Sequence, residues 1–333
     1  MTRPGPFAVV GAGIAGLACA QALSDAGASV TVFEREPFPG GRAATLIDGA
    51  GPYDHGAQYF TADDPRFAAV LERWRSAGIV QRWVGRIVAF DGGAIEDKSE
   101  SAERFVAVPG MRRLGVHLAQ GIDVRYSSSV GLVRRAGDGW HLFGEADHVG
   151  AGSGPFDAVL MALPSPVAAT LLAGLTRQAE VAAAVDWDPC WAVTMALQQR
   201  SGAGFDGAFV NDDPILGWVA LDSSKPRRGQ VDGVIERWVL HARPQWSRRF
   251  AELPEQEVTH WVIRSFAARL RRNLVPLQAR AVLWTHALPV NPLPQPALWD
   301  DAQRLGMAGD WCGGPRIEGA YLSGLALAEA ALR

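Results

Sequence analysis

Gly11, Gly13 and Gly16 stand in the order Gly-x-Gly-x-x-Gly between an apolar run at residues 7–10 and a stretch of helical composition at 14–25. Three glycines at that spacing suit the cradling of a diphosphate. The first permits a tight turn, the second lets phosphates approach the backbone, and the third lets the helix pack on the strand. The free N–H groups of the turn, which also holds Ala12, Ile14 and Ala15, act with the helix dipole to attract an anion. Glu34 ends the next apolar run, residues 29–33, where a carboxylate accepts hydrogen bonds from an adenosine ribose; Arg35 follows it. The expectation is a bound dinucleotide, and the alternative is a close-packed glycine turn without a ligand.

These residues require a β-α-β unit to position them, and the patterning supplies one over residues 7–33. Residues 36–52, rich in Gly and Pro, read as loop. Residues 65–77 read as a helix with Phe67, Val70, Leu71 and Trp74 on one face, and 109–119 as another, with Pro109 in its first turn. Residues 124–126, 130–134 and 140–143 read as short antiparallel strands, and 156–162 as a buried strand closed by Pro164. The middle is different, with six tryptophans between residues 165 and 280. It mixes strand-like stretches (191–197, 238–241) with a helix-like one (255–270) and reads as a separate substrate domain. Strand character resumes at 281–284 and 304–308. A second strand, glycine turn and helix then close the chain, so the two terminal units belong to one domain with other material inserted between them.

Composition narrows the class. The chain has 333 residues, 48% hydrophobic and 20% charged, with a net charge of -3. No basic excess points to nucleic acid or an anionic membrane as partner. Cys19, Cys190 and Cys312 are widely spaced; this fits a reducing cytoplasm, and without a CxxC pair no metal site is expected. No signal peptide or membrane span is read. Of 32 basic residues only Lys98 and Lys225 are lysines. That leaves little room for lysine-dependent chemistry.

The stretch Gly40-Gly41-Arg42-Ala43-Ala44-Thr45 resembles the flavin-containing amine oxidase superfamily. So does the closing stretch, where Gly309-Asp310 leads to Ile317-Glu318-Gly319-Ala320. The resemblance implies an α/β fold: an FAD/NAD(P)-binding Rossmann-like domain interleaved with an amine-oxidase-like substrate domain of mixed β-sheet plus helices. The expected division is 1–62, 104–164 and 280–333 for FAD, and 63–103 and 165–279 for substrate. It further implies non-covalent FAD. Arg42, beside Gly41, would neutralise the diphosphate. Asp310 would bind the ribityl chain or a diphosphate water. The helix start at Ile317, Gly319 and Ala320 would face the flavin N1–C2=O edge, where reduction places negative charge. Val130 would contact adenine through its backbone, and Ala162 would close a strand beside the cofactor.

Within the superfamily, the stretch 54–61 (DHGAQYFT, with Ala57 and Gln58), 105–119, 156–166, 220–228 and 239–247 resemble renalases. That resemblance implies a flavin oxidase acting on misreduced dihydronicotinamide dinucleotides, the 2- and 6-dihydro isomers, with O2 as acceptor and H2O2 as product. Hydride transfer from a dihydropyridine is driven by aromatisation and needs no acid or base, which agrees with the absence of a triad or paired carboxylates in the sequence. Tyr59, Trp218, His241 and Arg316 are the candidate pocket residues. Arg316 stands where amine oxidases carry a cage aromatic. A cation there repels an ammonium and attracts an anionic substrate. The alternatives are an FAD enzyme acting on an amine, carotenoid or porphyrinogen, and a non-catalytic dinucleotide-binding protein.

Overall fold

The run Phe7–Val10 is buried on both sides in the computed structural model, which describes residues 5–144 and 152–333. Side chains alternate along a strand. Phe7 and Val9 therefore enter one core with Leu17, Leu23, Leu114 and Leu327, while Ala8 and Val10 enter another with Trp140, Ala168 and Leu172. A strand covered on both faces has no polar side to alternate, which is why it reads as an unbroken apolar run. It sits inside a six-stranded sheet with the order Leu298–Asp300, Leu305–Met307, Ala158–Met161, Phe7–Val10, Val30–Phe33, Asp123–Arg125. All neighbours are parallel except the outermost pair, Leu298–Asp300 with Leu305–Met307.

Two helices cover one face, Ile14–Asp25 from the start of the chain and Arg316–Ala331 from its end. They cross with their backbones touching: a Cβ on Gly324 would lie 2.1 Å from the carbonyl oxygen of Ala15. The two terminal units are thus neighbours in one layer.

The second layer is a seven-stranded sheet: Gln278–Pro289, Trp187–Leu197, Glu236–Ala242, Leu216–Leu221, Gly207–Val210, Ile87–Asp91, Ala94–Asp97. One face carries Trp191, Val193, Met195, Trp238 and Leu240 against the helix Glu255–Leu270, which buries Val258, Val262, Ile263 and Phe266. The spacing of those four residues makes one helical stripe. The opposite face turns Trp218 and Ala220 toward the first core and packs Ala196 and Val239 on Tyr53. The functional residues gather where this face meets the cofactor half.

Several expectations needed correction. Residues 36–52 contain a hairpin strand, Leu46–Asp48, paired with Gly51–Tyr53 across a two-residue turn at 49–50; Gly51, at φ +109, opens the return strand. Asp123–Arg125 is a parallel edge of the six-stranded sheet, because it extends the ladder of Val30–Phe33. Antiparallel pairing is kept by Leu132–Ala136, Gly139–Phe143 and Ser153–Phe156. The third helix begins at Arg112, later than Pro109, and the N–H of Met111 just ahead of it donates to Asp54 Oδ1 at 2.9 Å. The helix Pro65–Ser76 packs Phe67 and Trp74 on Tyr321 of the last helix, inside the first core. Gln278–Pro289 pairs with Trp187–Leu197 in the second sheet, so the chain returns to the first sheet at Leu298, later than residue 280.

Candidate functional site

The glycine turn is pressed onto the protein on one side and bare on the other. A Cβ on Gly16 would lie 1.9 Å from the carbonyl oxygen of Gly11, and one on Gly11 (φ +103) would lie 2.6 Å from that of Ala162. A Cβ on Gly13 would meet nothing within 4 Å. The first helical hydrogen bond runs from Leu17 N to Gly13 O, and no side chain caps the helix start. The N–H groups ahead of Leu17 therefore have no partner within the helix. An uncapped helix start behind an open glycine is the form a diphosphate requires.

Around this turn the structure assembles residues from distant parts of the chain. Gly40 N donates to Ala12 O at 2.8 Å, and Gly41 (φ +55) lies so close to Gly13 that a Cβ on it would be 3.2 Å from the Gly13 Cα. Arg42 then reaches Asp310. The guanidinium makes two parallel bonds to the carboxylate, at 2.6 and 2.8 Å, a third to Ala287 O at 2.9 Å, and stacks 5.0 Å from the Trp187 ring centre. Fork-to-fork pairing of this kind is strong and directional. The Arg42 side chain is 30% exposed and that of Asp310 is 7% exposed, so the pair is open on the arginine side. Glu34 is buried, and its two oxygens accept from Ala12 N at 2.7 Å and Glu36 N at 2.9 Å. Ser128 N donates to Glu34 O at 2.8 Å, which brings the 128–130 segment, with half-buried Val130, beside the acid.

The last helix starts beside the loop that leads to Pro65. Glu318 Oε1 accepts from Asp63 N and Asp64 N at 2.8 and 2.6 Å, and Ile317 is buried. A Cβ on Gly319 would lie 1.9 Å from Gly314 O, and Ala320 packs at the edge of the first core. Ala57 N donates to Arg42 O at 2.9 Å, and a Cβ on Gly56 would lie 2.0 Å from the same oxygen. The loop 54–61 is therefore seated against the arginine turn.

Three of the four pocket candidates meet. Trp218 and His241 are paired across adjacent strands, and Tyr59 packs its ring 5.5 Å from that of Trp218. Gln58, next to Tyr59, faces His241 at 3.5 Å between Nε2 atoms. Arg316 does not join them. It takes φ +89, is largely exposed, and pairs with Asp63 at 3.4 Å. Arg35 is exposed and paired with Glu36 at 3.3 Å.

Sequence reasoning passed over several neighbours. His55 stacks on Trp284 at 5.2 Å, and its carbonyl accepts from Trp284 Nε1 at 3.0 Å. Burial lowers the pKa of both His55 and His241 to about 4, so both imidazoles are neutral near pH 7. Asp54, Asp222, Lys225 and Arg228 form a fully buried cluster beside Gln58. Burial alone would raise the Asp222 pKa, but Lys225 and Arg228 hold its carboxyl below the usual range. The scarcity of lysine was a usable signal for Lys225. The aspartates carried none. Among the described residues, the uncharged buried polar side-chain atoms without a partner are His55 Nδ1, Thr61 Oγ1 and Trp218 Nε1, all on the loop 54–61 or the strand facing it. Cys312 is buried and its thiol is pushed up to about 12 by burial, as fits a packing residue. A surface cleft of about 920 Å³ lined by Pro166, Thr170, Glu180 and Asp300 contains none of the site residues. Among the described residues no metal-ligating cluster occurs, and no helix is long and apolar enough to cross a membrane.

Comparison with known proteins agrees with this arrangement. Residues 9–74 match the NAD(P)-binding Rossmann-like domain, and residues 93–332 match the flavin containing amine oxidoreductase family. Phytoene dehydrogenase of Streptomyces griseus is 53% identical over 68 residues. Protoporphyrinogen oxidase 2 of Arabidopsis thaliana is 38% identical over 65. Each alignment covers 20% of this chain and 13% of the relative. The fold superposes on cyclohexylamine oxidase from Brevibacterium oxydans with a TM-score of 0.71 at 15% identity, covering 98% of both chains. It superposes on an oxidoreductase from Methanosarcina mazei with a TM-score of 0.71 at 14% identity, covering 97% of this chain and 100% of that one. With an open glycine cradle, an arginine–aspartate pair joining its two ends and a family match over most of its length, the chain belongs to the flavin-containing amine oxidoreductases, and its cofactor is FAD.

Proposed function

We propose that the protein is an FAD-dependent oxidase that takes a hydride from misreduced dihydronicotinamide dinucleotides, the 2- and 6-dihydro isomers of NAD(P), and passes the electrons to O2. Each turnover converts one dihydropyridine, one O2 and one proton into one nicotinamide cation and one H2O2. Bound FAD supplies the hydride acceptor, N5, and the route to O2. The protein's part is to hold the donor ring flat and close, about 3–3.5 Å from the acceptor.

The observation that carries this reading is the charge state of the walls. Asp54 and Asp222 are both committed to Lys225 and Arg228. Both histidines are neutral near pH 7. No carboxylate in this cluster remains free to receive an ammonium. What the walls offer is aromatic surface from Tyr59 and Trp218 and uncommitted neutral polar atoms. Those suit an uncharged, planar ring bearing an amide. Arg42, Glu34 and the two helix starts would hold the cofactor at the diphosphate, ribose and flavin ends.

Oxidation of an amine is the second reading, and it is favoured by the family match and by the likeness to cyclohexylamine oxidase. Oxygen consumption separates the two. Under the first reading, a borohydride-treated NAD mixture supports O2 uptake with one H2O2 per O2, while 4-NADH and a panel of amines do not. Uptake with an amine alone would reverse the choice.

A further inference from the structure

One end of the seven-stranded sheet closes on the arginine turn. Ala287, in the edge strand Gln278–Pro289, accepts from Arg42 Nη1 at 2.9 Å. Trp187 opens the neighbouring strand, and its ring centre lies 5.0 Å from the Arg42 guanidinium carbon. Its Nε1 donates to Ser165 Oγ at 2.9 Å, which fixes the ring. His286 completes the group. It packs nearly perpendicular to Trp187 with ring centres 5.7 Å apart, and the next residue along is the Ala287 that holds Arg42.

Two polar groups are left open here. Arg42 uses both hydrogens of Nη1, on Ala287 O and Asp310 Oδ2, and one of Nη2, on Asp310 Oδ1. The Nε–H and the second Nη2–H remain, and in a guanidinium these two lie parallel on one edge. In His286, Nδ1 meets Thr285 Oγ1 at 3.2 Å, and among the described residues nothing reaches Nε2. Neither Arg42 Nε nor His286 Nε2 is a buried orphan, so both open to solvent. Gly41, beside Arg42, packs on Gly13 of the glycine cradle. A free arginine edge and a free imidazole nitrogen thus stand together at the turn that closes on the cradle.

The charges that act on His286 are cations. Burial first, then the charges of Arg42 and Arg35, holds its pKa below the ordinary histidine value. Each arginine has its own acid, Asp310 for Arg42 and Glu36 for Arg35. Asp186 and Asp188 flank Trp187 on its strand; Asp188 is paired with Arg248, and neither acts on His286. His286 is therefore neutral near pH 7 without cofactor. A diphosphate beside Arg42 brings two negative charges and reverses the field.

We propose that His286 is a further cofactor-binding residue, contributed by the second layer, which faces the FAD diphosphate together with the free edge of Arg42 and takes up a proton when FAD binds. FAD binding is then proton-linked. Affinity rises as the pH falls through the His286 pKa of the FAD-bound protein, and levels off below that of the apoprotein. A shift of one pKa unit makes the change about tenfold. None of this depends on which donor reduces the flavin.

NMR of histidine-labelled protein reads the titration directly, with His286→Gln or His286→Asn assigning the signals. FAD should move the His286 titration up by about one pKa unit. In the apoprotein, Arg42→Ala should also move it up, because a repelling charge is gone. Calorimetric titration of apoprotein with FAD, in two buffers of different ionisation enthalpy over a series of pH values, should show proton uptake peaking at about half a proton. His286→Gln should lose it. Between about pH 8 and about pH 5.5 the FAD dissociation constant of wild type should fall about tenfold and that of His286→Gln less than threefold. His55 and His241, at about 4, stay neutral over this range. A His286 titration that FAD leaves unmoved or lowers overturns the proposal. So does a titration unmoved by Arg42→Ala in the apoprotein, or proton uptake that persists in His286→Gln.

Discussion

Replacing Arg42 by alanine tests the junction of the two termini. In this structure its guanidinium makes two bonds to Asp310, at 2.6 and 2.8 Å, and one to Ala287 O at 2.9 Å. With FAD bound, the same cation is proposed to face the diphosphate. One charge-assisted hydrogen bond contributes about 1.5–3 kcal/mol. At about 1.4 kcal/mol per tenfold, Arg42→Ala should raise the FAD dissociation constant about 10- to 150-fold. The same substitution leaves the Asp310 carboxylate, 7% exposed, without its cation. That penalty falls on the apoprotein as well, so its melting temperature should drop. The assay is a fluorescence titration of apoprotein with FAD, run on wild type, Arg42→Ala, Asp310→Asn and the double variant. If Arg42 acts on the cofactor directly, the double variant binds FAD more weakly than Asp310→Asn. If it acts only by neutralising Asp310, those two bind alike. An FAD affinity for Arg42→Ala within twofold of wild type would refute the reasoning.

Other outcomes follow from the same geometry. Burial lowers His55 and His241 from the ordinary histidine value to about 4, so below about pH 6.5 the unfolded chain binds protons that the folded one refuses. Stability is therefore full above that pH and falls as the pH drops toward 4, by on the order of 3 kcal/mol for each histidine. Denaturant melts between pH 8 and 4 should show this, with a shallower slope in His241→Phe; an unchanged slope would contradict it. Gly324→Ala puts a Cβ 2.1 Å from Ala15 O and must part the terminal helices. It should cost roughly 1–3 kcal/mol or more and weaken FAD retention, and an unaltered melting temperature would contradict the crossing. Arg316→Gly relieves a left-handed backbone at φ +89 and should stabilise by about 1 kcal/mol. Because Arg316 is exposed and paired with Asp63, KM should change less than threefold; a tenfold rise would return it to the pocket.

The cofactor half was legible because its residues are constrained one at a time. Gly11 and Gly16 are glycines because the backbone leaves no room for a Cβ, and Glu34 ends a strand whose partner strand leads into the turn. Local spacing records such constraints. The division between layers was less legible. Asp123–Arg125 and Gln278–Pro289 are short or mixed in pattern, and pairing with distant strands decides which sheet each joins. The helix Pro65–Ser76 shows the same effect, since its apolar face is plain in the sequence but Tyr321, the residue it packs on, lies far along the chain. Around the pocket the sequence placed Tyr59, Trp218 and His241 together but not Asp54, Asp222 and Lys225. A buried ion cluster has no periodicity, and its members look like surface residues until the fold removes the water around them. Arg316 failed for the opposite reason. Its position in the motif pointed inward, while its left-handed backbone is accompanied by a side chain paired with Asp63 near the surface.

The most direct measurement is single-turnover reduction of the bound flavin without oxygen. Purified protein is mixed anaerobically with excess 6-dihydro-NAD, 2-dihydro-NAD, 4-NADH or an amine, and the flavin absorbance is followed. The account predicts fast bleaching by the 2- or 6-dihydro isomer, with one nicotinamide cation formed per flavin, and bleaching by 4-NADH or amines at least a hundredfold slower. Fast bleaching by an amine, with the dihydronicotinamides inert, would contradict it.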